Sequence, residues 1–253
     1  MHGNLLKIIQ GGMGVGVSNW RLARAVSQLG QLGVVSGTGL DIVMARRLQD
    51  GDPGGHVRRA LGQFTFPKMA QRVLQALFVP GGIPSDAPYK PFGMHILKNK
   101  RAQTELCIVS NFVEVFLARE GHANRVGINY LEKIQLPHLP SLYGAMLAGV
   151  GVVIVGAGIA VEMPAVLDLL AKHQAATYSL HVRGAQADMD VQAVFDPALY
   201  REESAPPPPL PRPDFLPIIS SDTLATMFLR KAKGSVEGFV VETPLAGGHN
   251  APP

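Results

Sequence analysis

The stretch VGINYLEKIQLPHLPSLYGAMLAGVGVVIVGAG, residues 126–158, holds one whole unit of the fold. Val126 to Leu131 is a short apolar run of strand length, and Val152 to Val155 is a second, rich in β-branched residues. Between them, residues from about Ser141 to Ala148 read as a helix, and Gly156-Ala157-Gly158 follows the second run. Strand, helix and strand in that order make a crossover, so the two strands lie parallel in one sheet.

The same alternation extends outward in both directions. Leu6 to Gln10 reads as a first strand, followed by Gly11-Gly12-Met13-Gly14 and a helix from about Ser18, whose hydroxyl can cap it. Leu32 to Ser36 is the second strand and ends in Gly37-Thr38-Gly39; a helix over Ser110 to Glu120 leads into the third, at Val126. Beyond the fourth strand, Pro164 sits near a helix start, Leu216 to Ile219 is the fifth strand, Asp222 to Lys231 a helix and Phe239 to Glu242 the sixth strand. Two stretches break the rhythm. Residues 50–105 are rich in Gly and Pro and too irregular for one crossover, so they are expected to cover a face of the core as a lid or subdomain. Residues 183–214 form a Pro-rich excursion whose Pro206 to Pro209, Pro211 and Pro213 read as a polyproline-like surface connector.

The expectation is therefore one α/β domain over 1–253: a TIM (β/α)8-type barrel, incomplete at about six of eight βα units, with two insertions. The insertions use up the residues that a seventh and eighth strand would need. That predicts an exposed sheet edge on each side, and with it either a fragment of a longer product or self-association through the open edges.

Composition narrows the function classes. The 253 residues are 47% hydrophobic and 17% charged, which suits a buried core. The net charge of +4 comes from scattered residues, and Lys98-Asn99-Lys100-Arg101 reads as solvated surface, so no nucleic-acid partner is expected. A single cysteine, Cys107, excludes an intrachain disulfide and suits a reducing compartment; it reads as a packed core thiol. No apolar run approaches the roughly 18 residues of a membrane span, and no signal-peptide core follows Met1, so a cytoplasmic protein without a membrane partner is expected. His56, His95, His122, His138, His173 and His181 show no paired ligand spacing, and no metal is expected. Glu132-Lys133 follows a strand and suits either a rim ion pair or a ligand contact.

The three glycine clusters all follow strands, at the rim where parallel α/β folds carry their sites. Glycine there allows a positive φ and close approach of a ligand to the backbone. A dinucleotide fold fits poorly, because the third small position of its fingerprint falls on Val161 in one cluster and on Val17 in another. Ser36, Ser220 and Ser221 lie at strand ends within reach of a ligand, with helix capping the favoured role for Ser221. In FVVETPLAGGHN, residues 239–250, a strand delivers Glu242 to the rim and a glycine turn then presents His249, an imidazole that titrates near neutrality and can take a proton from carbon beside an electron sink.

Ala246-Gly247-Gly248-His249 resembles the signature of the nitronate monooxygenases (2-nitropropane dioxygenases) and the related flavin-dependent enoyl-thioester reductases. Ile9-Gln10-Gly11-Gly12-Met13-Gly14 is similar to the first strand and loop of that group, and Gly127-Ile128-Asn129 to its third-strand Gly-Val-Asn. The resemblance implies FMN across the barrel mouth, held by Gly11, Gly12, Met13, Gly14, Asn129, Glu242, Gly247 and Gly248, with His249 as catalytic base. It also implies a small-molecule carbon acid as substrate, oxidised with O2 as electron acceptor; the alternative is enoyl-thioester reduction by NAD(P)H. Glu242 stands where the family usually has glutamine, and Leu245 where it often has glutamate. In such barrels the cofactor phosphate is held by loops after the seventh and eighth strands, so this chain is expected to hold FMN weakly or not at all.

Overall fold

A computed structural model describes residues 6–182, 184, 191–202, 207–243 and 245–246. Its strands are β1 (Gly33–Ser36), β2 (Val126–Leu131), β3 (Val152–Gly156), β4 (Ala176–Ser179), β5 (Gln192–Phe195), β6 (Asp214–Ile219) and β7 (Val240–Val241). Five of them form one curled sheet in the order β1-β2-β3-β6-β7, every pair parallel, the shape of half a barrel wall. Its register sets Ser36 beside Asn129, Asn129 beside Ile154 and Ile154 beside Leu216, so all the strands point their carboxyl ends to one rim. β1 and β3 are buried at every position, as expected of near-continuous apolar runs covered on both faces.

The helices are α1 (Trp20–Gln28), α2 (Leu40–Gln49), α3 (His56–Leu61), α4 (Pro67–Leu77), α5 (Arg101–Arg119), α6 (His138–Leu147), α7 (Met163–Ala171) and α8 (Asp222–Lys231). α5 is the hub of one face: its 19 residues, about 28 Å of helix, touch α1, α2, α3, α4, α6, β1 and β2. A helix so surrounded buries polar residues as well, and here the two buried carboxylates find partners. Glu114 accepts from the Trp20 backbone N–H (2.8 Å) and pairs with Arg47, while Glu105 takes Arg72 (2.8 Å) and Arg101 (2.7 Å). α6 crosses α5 so closely that a Cβ at Gly144 would stand 2.0 Å from the Ile108 carbonyl oxygen, so only glycine fits there.

The interior elements match the sequence reading, and the departures have local causes. The first strand, expected over Leu6 to Gln10, reduces to a single bridge from Ile9 to Leu32, because the Gln31 side chain accepts the Lys7 and Ile8 backbone N–H groups instead. α1 is capped by Asn19, whose side chain accepts from the Arg21 and Leu22 backbone N–H, and not by Ser18. α5 starts at Arg101, nine residues before the expected Ser110, since the two arginines that neutralise Glu105 let a polar first turn be buried. Residues 50–105 fold into α3 and α4, packed on α2 and α5, and then a strap without helix or strand over 78–100. The 183–214 excursion contributes β5, which pairs antiparallel with β4 in a two-stranded sheet that the sequence reading did not foresee. Among the described residues, no helix is long and apolar enough to cross a membrane.

Candidate functional site at the carboxyl rim of the sheet

The first loop is fastened to the rim from three directions. Gln10 accepts the Val34 N–H with its Oε1 (3.0 Å) and donates through Nε2 to Ser18 Oγ (3.0 Å); Ser18 in turn donates to the Met13 carbonyl. Asn129 Nδ2 donates to the Gly11 carbonyl (2.7 Å), and the Gly37 N–H donates to the Asn129 carbonyl (2.8 Å). Gly12 is bound by sterics as well. Its φ is +69°, and a Cβ there would lie 2.4 Å from Val34 Cγ1, so the chain presses onto β1 in a way only glycine allows.

These contacts frame a cleft of about 280 Å³ over the ends of β1, β2, β3 and β6. The cleft is lined by Gly12, Met13, Gly14 and Val15 of the first loop, by Ser36, Thr38, Asn129 and Leu131 in and after β1 and β2, and by Gly156, Ala157 and Ile218 in and after β3 and in β6. Ala157, at the cleft wall, adopts φ +58°, a left-handed conformation unusual for alanine and costly to hold. Among the described residues no lining side chain carries a charge, so these offer backbone, two hydroxyls and one amide on an otherwise apolar surface.

Behind the rim, β2 ends in a buried polar group. Glu132 accepts from Tyr178 OH (2.7 Å) and Gln135 Nε2 (2.8 Å), while its N–H donates to the Gly156 carbonyl (2.8 Å). Burial raises the Glu132 carboxyl above the usual range against the pull of those two hydrogen bonds. His138 donates from Nε2 to the Leu131 carbonyl (3.1 Å), which leaves Nδ1 as a bare acceptor without a partner, 4.0 Å from Glu132 Oε2. Burial holds this imidazole down at about 4, with the Leu131 bond opposing. Lys133 is exposed, and Glu132 is a strut behind the rim, a role outside the ion pair and the ligand contact that the sequence offered for Glu132-Lys133.

Of the sequence-selected residues, Gly12, Met13, Gly14 and Asn129 come together in the cleft, and Gly11 holds its edge through Asn129. Glu242 is buried just after β7, its N–H on the Ile219 carbonyl (2.7 Å), and is not part of the cleft wall. Gly247, Gly248 and His249 lie outside the described residues. Sequence reasoning missed Val15, Leu131 and Ile218. The last two are strand-end residues that the parallel register alone would have brought to the rim. Cys107 is a core thiol as expected, its Sγ 3.0 Å from Ser141 Oγ, and Ser221 caps α8 by accepting the Leu224 N–H (3.3 Å). Among the described residues no group of three or more His, Cys, Asp or Glu could hold a metal.

The chemistry of the cleft suits part of a flavin. Apolar walls and close backbone fit a flat ring, and a volume near the roughly 300 Å³ lower limit of ligand sites fits a ring without a phosphoribityl tail. Among the described residues no basic side chain lines the cleft to seat a phosphate. No family model matches this chain, and no curated protein matches it.

Proposed function

We propose that the chain carries about six βα units of a TIM-type barrel and serves as an FMN-dependent oxidoreductase of the nitronate monooxygenase type. The observation that supports this reading most directly is the cleft at the carboxyl rim, whose described lining is uncharged and whose edge is held by the Asn129–Gly11 hydrogen bond. FMN, when bound, would supply two-electron chemistry that no side chain has. The chain's own residues would do the rest. Met13, Val15 and Leu131 exclude water from the ring, Ser36 and Asn129 offer it polar contacts, and His249 takes the proton from a carbon acid. The proton-transfer role of His249 rests on the sequence signature alone.

The test has two stages. Titrating the chain with FMN and with riboflavin, followed by flavin fluorescence, should give weak binding of equal strength, because the cleft grips the ring and not the phosphate. Anaerobic addition of an alkyl nitronate should then bleach the flavin absorbance while NADPH should not; His249→Asn should stop the bleaching and leave flavin binding intact. Bleaching by NADPH alone would replace nitronate oxidation with enoyl-thioester reduction, and failure to bind either flavin would end the flavin reading.

A further inference from the structure

A second, larger cavity of about 730 Å³ adjoins the rim cleft, and Thr38 lines both. Its roof is the strap, through Phe92 and Met94; its other walls include Leu40 and Ile42 of α2 and Ile134 after β2. Several of these side chains are open to solvent although large and apolar: Met94 is 89% exposed, Ile42 50% and Ile134 42%. Exposed apolar residues scattered singly need no explanation, but several around one concavity mark a surface meant to be covered.

Most polar groups of the chamber are already spoken for. Asn99 Oδ1 accepts the Ile96 N–H (2.8 Å), so its Nδ2 is the atom that donates to His95 Nδ1 (3.2 Å). His95 Nδ1 is then an acceptor, and Nε2–H donates to Asp41 Oδ2 (2.8 Å). This chain of bonds fixes the imidazole tautomer and pins the strap to α2. Asn111 is held by Tyr130 OH (2.9 Å) and the Cys107 carbonyl (2.9 Å), Ser141 by Cys107, and Gln135 by Glu132 and the His181 N–H. Among the described lining residues charge is carried by Asp41, which takes the His95 bond, and by Lys133, which is exposed. A chamber whose lining is largely apolar and most of whose hydrogen-bonding groups are taken internally offers a ligand mainly contact area.

From this we infer that the chamber seats an unbranched aliphatic chain of the substrate, and that Phe92 and Met94 of the strap set the length accepted. The inference rests on the proposed reading of the cleft in one respect: the reacting head sits there and the chain passes Thr38 into the chamber. A nitronate with a medium-length alkyl chain has that form.

Linear primary alcohols from butanol to dodecanol, titrated into the full chain by calorimetry, isolate the chamber from any flavin chemistry. Each added methylene should tighten binding about fourfold until the chain outgrows the cavity, and the gain should then stop. Met94→Trp, a change at an exposed position that leaves the core untouched, should move that break to a shorter chain, and Ile134→Asp should abolish the gain per methylene. A length-independent affinity overturns the inference. So does a gain that rises without a break and ignores both variants, since that is unspecific adsorption. Length-dependent binding by a chain whose flavin is not bleached by nitronates keeps the chamber and discards the proposed reaction; bleaching with equal KM for short and long alkyl nitronates does the reverse.

Discussion

β3 and β7 belong to the same sheet and run in the same direction, yet they live in different solvents. All five residues of β3 are buried, whereas β7 has two residues, one half-buried and one exposed. The difference follows from neighbours, because β3 is paired on both sides, by β2 and β6, while among the described residues β7 pairs with β6 alone. Side-chain identity is nearly the same in the two strands, valine in the main, so the contrast shows that position in the curl, and not propensity, decides how much each strand contributes.

Substitutions should separate the two regions sharply. Ile154→Asp puts an unpaired carboxylate where exposure is 1%, and is expected to cost upwards of about 5 kcal/mol and abolish cooperative folding, seen as loss of the urea transition. Val241→Asp, with the same change of charge at an exposed position, should stay within about 0.5 kcal/mol of the parent. Equal effects would show that the edge is buried in solution. Next, Glu114→Ala should lose about 3–5 kcal/mol because Arg47 is left uncompensated beside the core and the Trp20 N–H loses its acceptor, whereas Glu120→Ala, removing the partly exposed partner of Arg59 and Arg24, should lose less than about 1 kcal/mol.

The buried end of β2 gives a pH-dependent version of the same contrast. His138 titrates at about 4 in the folded chain against 6.5 when unfolded, so between those values the unfolded chain binds the extra proton. Its contribution is complete above 6.5 and is lost as pH falls toward 4, on the order of 3 kcal/mol. Glu132 works the other way: its raised carboxyl favours the folded state at low pH, and that contribution fades as pH rises through the unfolded value of 4.5 and the folded one above it. Urea midpoints measured from pH 7 to 4 should therefore fall, fall more steeply in Glu132→Gln, and flatten in His138→Phe. A slope unchanged by either substitution would place the acid sensitivity elsewhere. A modest effect is expected at α8, where Ser221→Ala removes the cap and should cost about 1 kcal/mol by thermal unfolding.

The same division explains what could be read from the sequence. Val126 to Leu131 and Val152 to Val155 were legible because burial on both faces demands an unbroken apolar run, and Asp222 to Lys231 because Ser221 announces its start. The edge at Leu6 to Gln10 was not, since Gln31 diverts backbone donors from the ladder, a contact 24 residues away that no local pattern encodes. Nor was the first half of α5, where Glu105 looks like a surface residue until Arg72 and Arg101 are brought to it. In the cleft, glycine turns and Asn129 stood out by residue type, but Leu131 and Ile218 are ordinary apolar residues made special only by register. The strap-covered chamber was invisible because it is built from irregular backbone whose course is set by single side-chain bonds such as His95 to Asp41.

The amide of Asn129 reaches a carbonyl 118 residues earlier in the chain. Such a closure cannot form until the polypeptide between has found its own topology, since distant pairings repay their entropy only late. During synthesis the rim therefore has no gap of the right width until β2 has left the ribosome and docked on β1. Any molecule selected by that gap would discriminate matured chains from nascent ones, and ligand retention would report the completion of folding in this part of the protein.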